Sequence, residues 1–184
     1  YANRGRLLST PVEIGEPGAE AESLTSGRRA AIAELITARR LEVAYQPVVD
    51  AAKGTVVAVE ALVRASHPSL GSIDASLLVH EARRLNLLDN LTDQVLTKTF
   101  ADFARLQRTI PDLEDVHVNI ELGQLTSGDT QQRLLDLGEA HPEVRLCVEI
   151  TENSLNHAGE DVLGKLAELR ASGIKVALDD FGQG

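Results

Sequence analysis

Apolar residues recur along this chain with two periods, and the switch between them marks out its elements. Short β-branched runs over 41–49 and 55–64 flank Lys53-Gly54, which predicts a hairpin. Ahead of it, Ile32, Leu35 and Ile36 recur at helical spacing, which predicts an amphipathic helix from near Ser26 to about Arg40. Beyond the hairpin, helix and strand alternate. Leu77, Leu78, Ala82 and Leu85 share one face of a helix over 75–86, and Leu91, Val95, Leu96, Phe100, Phe103, Ala104 and Leu106 mark another over 91–108. Strands are expected over 116–120, 145–150 and 174–178, with helices over 129–139 and 159–172, the last closed by Gly173. This alternation implies an α/β protein with a mostly parallel sheet, and the regular spacing favours a barrel over an open sheet.

Residues 1–26 mix Gly, Pro, Ser and Glu without an apolar period, and read as a linker or the tail of a preceding domain; 27–184 form the folded unit. A complete eight-unit barrel needs roughly 200–250 residues. The expectation is therefore a barrel that stops after about its fifth or sixth strand. Together with the start at Tyr1, this leads us to expect a piece of a longer polypeptide, with a naturally truncated module as the alternative.

Composition narrows the function classes. A chain of 184 residues with 43% hydrophobic content can bury one sizeable core. A formal charge of −10 argues against non-specific nucleic-acid binding, so an anionic ligand needs local help from metals or a placed Arg. Cys147 is the single cysteine and lies inside the apolar run 144–150, which assigns it to the core. No run approaches the roughly 18 apolar residues that cross a bilayer, so no membrane contact is expected of this domain. His67, His80, His117, His141 and His157 have no paired ligand spacing and read as surface or hydrogen-bonded residues.

The candidate chemistry lies where apolar runs end. Glu60, Asn119, Glu149, Asp179 and Asp180 are all metal-ligand types, and the steps 60 to 119, 119 to 149 and 149 to 179 are 59, 30 and 30 residues. In a parallel barrel the strand ends converge on one rim, where such groups can share divalent cations. Glu60, Leu62 and Arg64 alternate onto one strand face, offering a carboxylate and a guanidinium for a metal-bound phosphate. Glu149 continues a buried run, so it needs a cation or a hydrogen-bond network. Asp179 and Asp180 repel each other unless a cation relieves them, and Gly182 and Gly184 would let the following loop bend.

Tyr45-Gln46-Pro47, Glu60-Ala61-Leu62 with Arg64, Val118-Asn119-Ile120, Glu149-Ile150-Thr151-Glu152 and Asp179-Asp180-Phe181-Gly182 stand in the order and spacing of EAL domains, which this chain resembles from about Ser26 to Gly184. The resemblance implies a modified TIM barrel that hydrolyses cyclic di-GMP to pGpG with two divalent cations, Mg²⁺ or Mn²⁺, in bacterial second-messenger signalling. By that likeness Glu60, Asn119, Glu149 and Asp179 look like ligands of one metal and Asp179 and Asp180 of the other, with Glu60, Asp179 and Asp180 catalytic. Arg64, Gln46 and Leu62 look like substrate contacts, and Glu152 like the residue that orders the loop after the Asp pair. It also implies a homodimer and a cytoplasmic domain whose parent could be membrane-anchored elsewhere. The family's Lys, its further Glu and its Gln would follow Gly184, so the second metal site is expected to be incomplete here and this chain alone inactive. The alternative is an inactive EAL domain acting as a cyclic di-GMP receptor or interaction module. Glu121 stands where the family commonly has Ser and reads as a solvated loop residue, Gly123 stands where Arg is frequent, and Gln183 replaces a smaller residue. The segment 1–6 is similar to the closing helix of a GGDEF domain.

Overall fold

A computed structural model describes residues 17–127, 129–156 and 158–179, with side chains from Ser26 onward except at 127 and 153. Helix α1 (Pro17–Thr37) is followed by strands β1 (Glu42–Asp50), β2 (Thr55–His67) and β3 (Gly71–Ile73), then helices α2 (Ala75–Arg84) and α3 (Leu88–Thr109). Strand β4 (Asp115–Asn119), helices α4 (Leu122–Ser127) and α5 (Thr130–Ala140), strand β5 (Arg145–Thr151), helices α6 (Glu152–Asn156) and α7 (Glu160–Ala171), and strand β6 (Lys175–Asp179) complete the described order.

The sheet order is β1-β2-β4-β5-β6, with β3 paired to β2. The hairpin is antiparallel, whereas β2–β4, β4–β5 and β5–β6 are parallel, each connected through a pair of helices. That is the strand–helix alternation of a TIM-type barrel. Alternation along the strands sorts the core. Val59, Ala61, Val63, Val116, Val118, Leu146, Val148 and Ile150 point into the helix layer and join Ile32, Leu78, Phe103, Leu134 and Leu169 in one buried cluster. Glu60, Leu62, Arg64, His117, Asn119, Cys147, Glu149 and Asp179 have the opposite parity and occupy the other face.

Three helix ends share one closure. Arg39, Asn86 and Gly173 have φ of 54°, 55° and 86°, and Arg40, Leu87 and Ile174 donate back to Leu35, Ala82 and Leu169, the six-to-one bond of a Schellman motif. Asp74 starts α2 by accepting from the Ser76 and Leu77 amides. Helix α1 begins nine residues before the expected start at Ser26: Pro17 suits a first helical position, and the Ala and Glu after it are strong helix formers that need no apolar stripe. Residues 17–25 are thus helical where the composition reads as linker. The hairpin, the body of α1 after Ser26, and the other longer helices and strands fall where periodicity places them, while β3, α4 and α6 are additions of 3, 6 and 5 residues.

Candidate functional site

Parallel pairing brings the candidate residues of β2, β4, β5 and β6 to the same end of the sheet. Asn119 ends β4 and donates from Nδ2 to Glu60 Oε1 at 2.7 Å, which joins residues 59 positions apart. Glu149 is the register partner of Asn119 on β5, and its carbonyl accepts from the Ile120 amide at 3.0 Å. Asp179 ends β6 beside Thr151. Asp180 and the segment 181–184 lie outside the described residues.

Glu149 has the partner that its burial demands. His117, two residues before Asn119 and so on the same face, meets Glu149 Oε1 through Nδ1 at 2.6 Å, and both side chains are more than four-fifths buried. A carboxylate only accepts, so the shared hydrogen belongs to Nδ1. That bond outweighs burial and raises the His117 pKa above its ordinary 6.5, with the charges of Glu149, Asp115 and Glu60 adding to it. The sequence reads His117 as a surface or hydrogen-bonded residue; its two-residue offset from Asn119 is the signal that places it on the rim-facing side.

The expected substrate contacts lie on the β1–β2 hairpin. Gln46 is exposed and pairs in register with Glu60, Leu62 is half-buried, and Arg64 is exposed with its Nη1 donating to the Val63 carbonyl at 2.8 Å. Tyr45, on the opposite parity, donates to Asp102 at 2.9 Å, and burial together with that bond pushes its phenol upward. Glu152 opens α6 directly after β5 and is half-buried.

A cavity of about 420 Å³ lies at this end, lined by Asn119, Glu149, Thr151, Ser154, Arg83 and Glu121 among others. Glu121 is a loop residue with a side chain 36% exposed, as expected, and it has a partner: Arg83 Nε donates to its Oε2 at 3.0 Å, and its amide donates to Gln124 Oε1 at the start of α4. Gln124 in turn is buried and donates to Asp89 and Thr92, both at 3.0 Å. Helix α4 buries Leu122 and Leu125 but at six residues is too short to display a period, and the contact from the Glu121 amide to Gln124 marks its start.

A larger cavity, about 810 Å³, includes Asp115, His117, Cys147, Lys175 and Ala177, all of the site's parity. At the N-terminal ends of the strands Asp115 accepts from Arg145 Nε at 3.0 Å and Lys175 Nζ at 2.8 Å, tying β4 to β5 and β6. Cys147 is buried as expected, and burial pushes its thiol up to about 11.

The donors at the rim are oxygens on adjacent strands, the set that suits Mg²⁺ or Mn²⁺ rather than a soft metal. Among the described residues no three His, Cys, Asp or Glu side chains are gathered closely enough to hold an ion as they stand. Glu60 and Glu149 are held instead by Asn119 and His117.

Fold and rim together define an α/β-barrel-type domain with a carboxylate-and-amide rim at the C-terminal ends of its parallel strands. The sequence profile of the EAL domain matches residues 29–184, and the chain belongs to the EAL domain family. It is 32% identical over 158 residues to PdeN of Escherichia coli, named a probable cyclic di-GMP phosphodiesterase, covering 82% of this chain and 30% of PdeN. It is 32% identical over 149 residues to the cyclic di-GMP phosphodiesterase NbdA of Pseudomonas aeruginosa, covering 79% of this chain and 19% of NbdA. The chain thus spans less than a third of the length of these curated relatives. Among solved structures, the phosphodiesterase PaMucR in complex with c-di-GMP superposes with a TM-score of 0.73 at 26% identity, over 89% of this chain and 65% of that one. No helix among the described residues is long and apolar enough to cross a membrane.

Proposed function

We propose that this domain belongs to a cyclic di-GMP phosphodiesterase that opens the dinucleotide to pGpG. The observation that carries the reading is the Glu60–Asn119 bond, which unites two of the family's motif segments beside Glu149 on one rim. Family membership and the names of its relatives support the same chemistry. Glu60, Asn119, Glu149 and Asp179 are the residues that would hold one divalent cation, and in this proposal Asp179 and Asp180, adjacent in sequence, would serve the other. When bound, Mg²⁺ or Mn²⁺ supplies an electrophile for the phosphodiester and acidifies water. The chain's own part is positional. Exposed Arg64 reaches a substrate phosphate from the same strand face as Glu60, Gln46 and Leu62 flank the dinucleotide, and Glu152 steadies the segment after the Asp pair. In this proposal the domain works in the cytoplasm as a homodimer.

Incubating the intact parent protein, which carries the residues expected after Gly184, with cyclic di-GMP and Mg²⁺ or Mn²⁺ tests it. The expected product is pGpG, and Glu60→Ala should lower its rate at least about 100-fold. Absence of pGpG with both metals sinks the enzyme reading. The second reading, binding without turnover, draws on the ungathered state of the described acidic side chains. It is the one left standing if calorimetry shows binding while no pGpG forms.

A further inference from the structure

We propose that His117 is a positioning residue that fixes the Glu149 carboxylate for cation binding. The inference rests on the assignment of Glu149 to the metal rim. Its observations are separate from those that carry the family reading, because none of the motif segments contains His117.

Three features support it. The Nδ1–Oε1 separation is 2.6 Å, and the side chains of His117 and Glu149 are 18% and 16% exposed, so the bond is sheltered from competing water. His117 is the register partner of Glu60 on β2 and of Cys147 on β5. It therefore stands on the rim-facing side between the strands that carry the two acids. The bond also engages Oε1 of Glu149 and leaves Oε2 as the oxygen to meet a cation.

The physical consequence is preorganisation. A glutamate has three side-chain torsions, and a ligand that must be ordered at the moment of binding weakens the complex by the entropy lost. A second residue that already holds the carboxylate removes part of that cost, as partners outside the ligand set do at metal centres generally. The usual arrangement has a carboxylate orienting a ligating histidine. Here the order is reversed, with a histidine N–H orienting a ligating carboxylate.

The experiment is calorimetric titration of Mn²⁺ into the protein, with no nucleotide present. His117→Ala, and His117→Phe, which fills the same space without a donor, should weaken Mn²⁺ binding about 10- to 100-fold. His117→Asn places an amide N–H near the Nδ1 position and should restore affinity to within about threefold of the parent. Thermal melts identify any variant that has lost its fold, and the conclusion is drawn from those that keep it. Unchanged or tighter Mn²⁺ binding in a folded His117→Ala or His117→Phe overturns the proposal, as does failure of a folded His117→Asn to recover. If the parent itself takes up no Mn²⁺, the metal-rim reading falls first and this inference with it, which separates the two failures.

Discussion

Asp115 shows how single charges hold the strands in place below the site. Burial alone would push its carboxyl up, but the hydrogen bonds from Arg145 and Lys175 outweigh burial and hold it below its ordinary 3.8. A carboxylate depressed in the folded state stabilises the protein above its unfolded pKa, and that stability disappears as pH falls through the folded value. The affected window therefore lies below about pH 4. Asp115→Asn should cost about 1–2 kcal/mol at pH 7, discounted because Arg145 and Lys175 are half-exposed. Urea melts should show the gap between parent and variant closing as pH drops from about 4 to 2. A gap that stays constant over that range would mean the ion network contributes nothing specific.

At the scale of elements, helix α7 makes opposite demands on two glycines, one inside it and one just past its C-terminal end. Gly164 lies within the helix, where an added Cβ meets nothing within 4 Å, so Gly164→Ala should stabilise by about 0.5–1 kcal/mol. Gly173 also has open space, but its φ of 86° is one that L side chains rarely adopt, and Gly173→Ala should cost about 1–2 kcal/mol. Thermal denaturation of the two variants reads both signs, and equal signs would refute the closure described for this helix. Gly173 was legible in the sequence because a glycine followed by a strand run is a stop signal. The same reading located every strand longer than three residues, since alternation over five or more positions is a strong pattern. It missed α4 and α6, which are too short to display a period, and the early start of α1, where helix propensity alone decides. At the site, the ligand-type side chains were legible from their spacing. The partners that hold them were not, because Asn119 to Glu60 and His117 to Glu149 are contacts across strands whose register no local pattern encodes.

Across the whole molecule, charge sets a condition on the proposed ligand. Cyclic di-GMP carries two phosphate charges, whereas the chain carries a formal −10 and places Glu60, Glu149 and Asp179 toward one end of the sheet. Arg64 is the cation offered there by the recognised motifs. A phosphate roughly 8 Å from one uncompensated carboxylate is opposed by about 2 kcal/mol at an effective dielectric of about 20, and salt screening lowers that figure. Removing divalent cations should accordingly weaken binding of the dinucleotide about tenfold, and the penalty should shrink as NaCl is raised, because the opposing term is screened. Stopped-flow binding of a fluorescent cyclic di-GMP, read before turnover and compared in Mg²⁺ and in EDTA, measures both. Equal affinity in EDTA would place the phosphates away from the acidic rim, and Arg64 with the hairpin would then have to account for recognition without the carboxylates. A tenfold loss that salt relieves would tie the overall acidity of the chain to its ligand: the same charge that disfavours nucleic acid makes nucleotide capture conditional on metal.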